Sequence, residues 1–178
     1  MPGCLTLSKK AILNQLKARK TPRKYNSKMA ENFLSQAQKK QITDAISQAE
    51  RETNGEIRLH LEQRCKEDVL DRAAFIFEKL GMHKTAERSG VLFYVSYEDH
   101  KLAIIGDAGI NAKVPENFWD HVKDHLISEF KNGNYATALS EGIVMAGEQL
   151  KAHFPKGANN PNELSNEISF GKKSKSND

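Results

Sequence analysis

Two apolar runs, GVLFYVSY (90–97) and KLAIIG (101–106), are separated by little more than the polar link EDHK. Residues of this kind suit a central strand, and a four-residue link suits a hairpin. Upstream, EIRLHLEQ (56–63) alternates. Ile57, Leu59 and Leu61 point one way and Arg58, His60 and Glu62 the other, which predicts a strand with one buried face. Between this strand and the hairpin lies DVLDRAAFIFEKLG (68–81). Its stripe of Val69, Ala73, Ile76, Phe77 and Leu80 has helical spacing, Asp68 suits an N-cap, and Gly81 suits the stop. A strand–helix–strand unit makes the first two strands parallel with a right-handed crossover. The hairpin then makes the third strand antiparallel to the second.

Helices complete the pattern. FLSQAQKKQITDAISQAERETNG carries Ser35 and Gln38 at capping-box spacing, an Ile42, Ala45, Ile46, Ala49 stripe, and Asn54–Gly55 as a stop. PENFWDHVKDHLISEFKNG places Pro115 near its first turn and Gly133 past its end. NYATALSEGIVMAGEQLKAHF is a fourth helix, whose Gly142 and Gly147 are poor helix formers that close helix packing explains. The expected order is α-β-α-β-β-α-α. The fold class is α/β, a small mixed sheet (a parallel pair plus an antiparallel hairpin strand) sandwiched between helices.

The chain has 178 residues and a formal charge of +4. That charge is unevenly placed. Residues 1–28 hold eight Lys/Arg and no acid, which leaves 19 basic against 23 acidic residues, a charge of −4, for the rest. Residues 1–28 read as a basic disordered leader, 29–155 as the folded domain, and 156–178 as a disordered polar tail. The basic pI therefore gives no reason to expect nucleic-acid binding by the domain. No apolar run is long enough for a membrane span, and none in the leader is long enough for a signal peptide. Cys65, the one cysteine outside the leader, makes no internal disulfide or cysteine–zinc site. A cytoplasmic monomer is expected.

Topology gives a location for function. The start of the first strand, the start of the second and the end of the third share one edge of the sheet. Thr53–Glu56, Arg88–Gly90 and Gly106–Gly109 converge there, and the following helix brings Asn111, Glu116 and Asn117. Glycine-containing loops with carboxylate and amide oxygens suit a hard cation such as calcium. The opposite reading is structural, with Asp107 bracing a turn and Asn54–Gly55 capping a helix. His121 and His125 share a helix face on its polar side, where an exposed pair serves no implied third ligand. No phosphate-binding loop, nucleophile elbow or dinucleotide fingerprint occurs.

AISQAERETNGEIRLHL, ERSGVLFYVSYEDHKLAIIGDAGI, VPENFWDHV and FKNGNYATALSEGI, in this order between Phe33 and Phe154, resemble the TPM domain family. Its name comes from a thylakoid lumen protein, a photosystem II subunit and a nematode acetylcholine-receptor modulator. The strongest parts are Thr53-x-Gly55-Glu56-Ile57, Gly90-Val91-Leu92 and the Gly106–Gly109 turn. The resemblance implies a mixed α/β sandwich and divalent-cation binding, notably of calcium. It also implies acid phosphatase activity in a plant member. Most bacterial relatives resemble surface proteins with a signal peptide, a membrane helix and a glycine-rich tail; none of these is expected here, and the sequence is similar to the short soluble bacterial type. The expected function is a calcium-binding module acting through an unidentified protein partner. Glu56, Asp107, Asn111, Glu116 and Asn117 are the metal ligands, and Arg88 an anion or partner contact. A metal-assisted phosphatase and a metal-independent partner-binding scaffold are the alternatives.

Overall fold

A computed structural model describes residues 33–157 and 163–171. The leader expected over 1–28 lies outside the described residues. The elements are α1 (Gln36–Glu50), β1 (Glu56–Glu62), α2 (Val69–Lys79), a 3-10 turn (Met82–Lys84), β2 (Gly90–Ser96), β3 (Lys101–Gly106), α3 (Ala108–Asn111), α4 (Phe118–Lys131), α5 (Tyr135–His153) and β4 (Ser169–Phe170). The sheet order is β3-β2-β1-β4. β1 pairs parallel with β2 and with β4, and β2 pairs antiparallel with β3. The mixed α/β sandwich is therefore present, with one strand more than expected.

Local signals explain most boundaries. Ser35 Oγ accepts from Gln38 N while Gln38 Oε1 accepts from Ser35 N, so α1 opens on the reciprocal cap. Asp68 accepts from the Leu70 and Asp71 amides and opens α2. Gly81, at φ 73°, supplies the left-handed residue that ends it. α4 starts later than its proline suggests. Pro115 instead begins a turn, closed by Phe118 N donating to Pro115 O, and Phe118 is the first helical residue.

The inward side chains of β1, β2 and β3 (Ile57, Leu59, Leu61; Val91, Phe93, Val95; Leu102, Ile104) join α1, α4 and α5 in the larger core. At 25 cal/mol/Å² each fully buried Leu, Ile or Phe contributes roughly 1.5–3 kcal/mol. The glycines of α5 allow this layer to close. A Cβ on Gly147 would lie 2.7 Å from that of Ala49 in α1, and one on Gly142 would lie 2.6 Å from Leu126 in α4. On the other face, α2 covers Leu92, Tyr94, Ala103 and Ile105 with Val69, Ala73, Ile76 and Phe77.

Two expectations change together. Alternation predicts one buried face for β1, yet all seven of its residues are buried, including Arg58, His60 and Glu62. Composition predicts a disordered tail from 156 on, yet residues 163–171 return to the sheet and end as β4 beside β1. The same segment explains both. Ile168 packs against the larger core and Leu164 against the smaller. Ser169 Oγ donates to Leu59 O, and Gly171 N donates to Leu61 O. A polar composition conceals these two apolar anchors.

The tightest backbone approach is at Gly109, where an added Cβ would lie 2.7 Å from the Arg88 carbonyl oxygen and closer still to that of Glu87. Neither atom can yield by a rotamer change. Gly109→Ala is expected to lower unfolding free energy by about 2–3 kcal/mol in urea titration, the range for overpacking. Gly133→Ala has open space around it and a φ of 81°. It should cost less, about 1 kcal/mol.

Candidate functional site

The sheet edge named from topology exists in register. Glu56 pairs with Gly90, Val91 pairs with Gly106, and Asp107 N donates to Gly90 O. The GDAG stretch is more than a turn, because Asp107 is the N-cap of the one-turn helix α3. Its Oδ1 accepts from Ala108 N at 2.7 Å and from Arg88 Nη2 at 2.7 Å, while Oδ2 accepts from Arg88 Nε at 2.7 Å. This is a two-point guanidinium–carboxylate clamp. Asp107 has 0% of its side chain exposed and Arg88 has 45%. A fully desolvated carboxylate is thus balanced by a charge that reaches solvent.

Arg88 is itself held in an uncommon backbone conformation, φ 53°. Its carbonyl accepts from the amides of Gly109 and Ile110, so the loop before β2 is bound to α3 at both backbone and side chain. Asn54 joins the same corner by donating to Glu87 Oε2 and accepting from Gly157 N.

The five expected ligands do not share one position. Asn111 uses both ends of its amide: Nδ2 donates to Gly106 O and Oδ1 accepts from Trp119 Nε1. It ties α4 to the corner. Glu116 and Asn117 are exposed in the turn before α4, with the Asn117 amide 3.3 Å from His121 Nε2. Glu56 lies across β2 from Asp107, about 10 Å away by strand spacing. Its Oε1 accepts from Glu163 N. Asp107, Arg88 and Asn111 are therefore brought together, while Glu56 belongs to a second polar region. Among the described residues no group of three or more His, Cys, Asp or Glu side chains is arranged to hold a metal ion.

That second region was not foreseen. Along the face of β1 turned away from the larger core stand Glu56, Arg58, His60 and Glu62, and Glu50, at the end of the α1 stripe, reaches the backbone of the same strand. Glu50 Oε1 accepts from Ile57 N, and Glu62 accepts from Arg72 and from Tyr94 Oη. His60 Nδ1 lies 2.9 Å from Ser169 Oγ. Arg58 Nε and His60 Nε2 are buried with no hydrogen-bond partner among the described residues. The electrostatic consequences are large. Burial, reinforced by the neighbouring Glu56, pushes the Glu50 carboxyl up to about 8, against the pull of the Ile57 amide, Asn166 and Arg58. Burial likewise raises Glu56 and holds His60 down to about 4. For Glu62 burial also raises, but the bonds from Arg72 and Tyr94 prevail and the carboxyl sits below its usual range. One signal in the sequence did mark Glu50: four residues after Ile46, it continues the apolar stripe of α1.

One family model matches the chain. The TPM domain model matches residues 28–149, more than half of the chain, and the chain belongs to that family. The NMR structure of the BA42 protein from the psychrophilic bacterium Bizionia argentinensis is similar at 44% identity and a TM-score of 0.73. That match covers 78% of this chain and 96% of that one. The N-terminal domain of a P. gingivalis protein shares the fold at 21% identity and a TM-score of 0.56, over 68% of this chain and 79% of that one. No protein of curated description matches.

The buried titrating groups predict a stability profile with two limbs. Glu50 has a folded pKa above its unfolded value of 4.5, so its contribution is full below about 4.5 and is lost as pH rises towards 8. His60 has a folded pKa below 6.5, so its contribution is full above 6.5 and is lost as pH falls towards 4. Glu50→Gln should flatten the alkaline limb, leaving the variant about 3 kcal/mol more favourable at pH 8 relative to pH 5 than the wild type. His60→Gln should flatten the acid limb. Urea unfolding from pH 4 to 9 checks both.

Proposed function

We propose that this chain is a TPM module that binds a divalent cation, calcium, at the corner where β3 meets α3, and acts through contact with a protein partner. One observation carries the reading: the Asp107 carboxylate is wholly buried, and the charge that balances it is a guanidinium open to solvent. A hard cation arriving from the solvent side takes the place of that guanidinium on the same two oxygens. Glu116 and Asn117, in the exposed turn before α4, supply further oxygens from the solvent side. Asn111 positions the Gly106 carbonyl and Trp119 rather than an ion. Glu56 serves residues 163–171, the strap over β1, by accepting from Glu163 N.

The phosphatase alternative draws less support. Arg88, the residue available to clamp a phosphate, already spans Asp107. The metal-independent scaffold is favoured by that same ion pair, since it leaves the corner satisfied without a cation.

Calcium at about 5 mM should shift the amides of Asp107, Ala108, Gly109 and Asn117 in heteronuclear NMR spectra. Asp107→Asn should abolish the shifts. Arg88→Gln, which removes the competing charge, should tighten binding roughly tenfold, or ~1.4 kcal/mol. Binding that survives Asp107→Asn, or the absence of any shift near Asp107, would refute the reading and leave the scaffold.

A further inference from the structure

The outer edge of β1 is only partly closed by a strand. Of its seven residues, His60 and Leu61 pair with β4 among the described residues. Upstream, a side chain stands in for a strand: Ile57 N donates to Glu50 Oε1 at 2.7 Å. Glu163 N likewise goes to Glu56 Oε1 rather than to the β1 backbone. A strand edge finished in this way is a template for an added strand, whose backbone can replace the side-chain cap. This edge faces away from β2 and β3, and so from the Asp107 corner.

The way the strap meets this edge gives it a sequence preference. The pairing of His60 with Ser169 sets residues 167, 169 and 171 opposite Arg58, His60 and Glu62 in turn, all on the outer face. Each position makes its own demand. Ser169 Oγ donates to Leu59 O and therefore accepts the His60 Nδ1 proton, and a hydroxyl does both. Opposite Glu62 there is no room for a side chain. A Cβ on Gly171 would lie 2.5 Å from Glu62 Cγ, and Arg72 and Tyr94 hold that carboxylate in place. On the inner face, Ile168 packs against the larger core. Opposite Arg58 the demand is not met. Arg58 is 9% exposed and its Nε has no hydrogen-bond partner among the described residues. Glu50, Glu56 and Glu167 act on it through charge alone. Glu167 holds the right register position yet is exposed, because its amide turns back to Ser165 Oγ at 3.2 Å. In a parallel ladder carried back two residues, that amide would meet Ile57 O. The strap bends where a straight strand would carry a carboxylate onto the guanidinium.

We propose that the outer edge of β1 docks an extended segment of a protein partner, parallel to β1, with the pattern acidic, apolar, Ser or Thr, any residue, Gly, and that the strap is the placeholder this segment displaces. The acidic side chain pairs with Arg58, which is buried and lacks such a partner. The apolar residue takes the seat of Ile168, the hydroxyl serves His60 and Leu59, and the glycine passes Glu62. The partner gains over the strap by running straight through the position where Ser165 bends it. Docking here is independent of a cation at the Asp107 corner.

The probe is a synthetic peptide with the sequence of residues 163–171, carrying Ser165→Val to remove the bend, blocked at both ends and labelled for fluorescence polarisation. It is titrated with the full chain in EDTA, so that calcium plays no part. The chain's own strap competes at an effective concentration of order millimolar, so the wild type should bind with a Kd of ~1 mM. The full-chain variant Ile168→Asp, whose strap loses its seat in the larger core, should bind about tenfold tighter or better. Glu167→Lys in the peptide should weaken binding by about tenfold, the effect of setting a like charge beside Arg58. Gly171→Val in the peptide should abolish it. Absence of binding by the Ile168→Asp chain overturns the proposal, since the strap would then be a fixed part of the sheet. Equal binding of the Lys or the Val peptide also overturns it, since the edge would then lack the stated preference. Should Ile168→Asp fail to fold, Ser169→Ala in the chain, which removes only the hydroxyl bonds to His60 and Leu59, takes its place and should tighten binding about threefold.

Discussion

β1 is the strand on which the rest of this molecule depends, and its difficulty is that it is buried on both faces with an apolar sequence on only one. Parallel pairing to β2 on one side and to β4 on the other places it inside the sheet. Strands so enclosed are ordinarily apolar throughout. Here Ile57, Leu59 and Leu61 satisfy the inner layer, while Glu56, Arg58, His60 and Glu62 must be accommodated on the outer one. Arg72 and Tyr94 settle Glu62, and Glu163 and Ser169 reach Glu56 and His60. The remainder is absorbed by protonation: burial keeps Glu50 and Glu56 towards their neutral forms and His60 unprotonated. A layer of this kind ties the stability of the strap to pH more than a hydrophobic layer would.

The corner at β3 and α3 solves a different problem by ordinary means. A carboxylate needed as the cap of a one-turn helix is desolvated by the surrounding loops. A guanidinium from the loop before β2 reaches over to neutralise it. The clamp joins residues 19 apart in sequence and holds the Arg88 backbone in a left-handed conformation that a glycine would adopt more readily. It makes the corner rigid without a ligand, and its solvent-facing half makes it exchangeable for one. Both properties follow from the asymmetry in exposure between the two partners.

Much of this was legible in the sequence wherever a local rule acts. The reciprocal cap at Ser35 and Gln38, the Asp68 cap, the alternation of β1 and the hairpin of β2 and β3 all follow from neighbours within a few residues. The convergence of three loops at one edge followed from topology alone. What was not legible depends on partners far apart. β4 is two residues long, and its pairing to β1 comes from Ile168 and Leu164 finding gaps in two cores, which no periodicity announces. Asp107, legible as a turn residue or a metal ligand, also meets Arg88, and nothing in a strand's spacing says which loop side chain folds back. Glu50 escapes notice because helix stripes are judged by their apolar members. Its position on the stripe, next to a helix stop, was the clue.

Glu50, at the end of the α1 stripe and bonded to the β1 backbone, is a buried acid held towards its neutral form. A carbon-13 NMR titration of the Glu50 side-chain carboxyl measures this directly. A midpoint near 8 is predicted. A midpoint near the unperturbed 4.5 would mean that Glu50 is hydrated and charged. The junction of α1 and β1 would then be a solvated surface rather than a buried one.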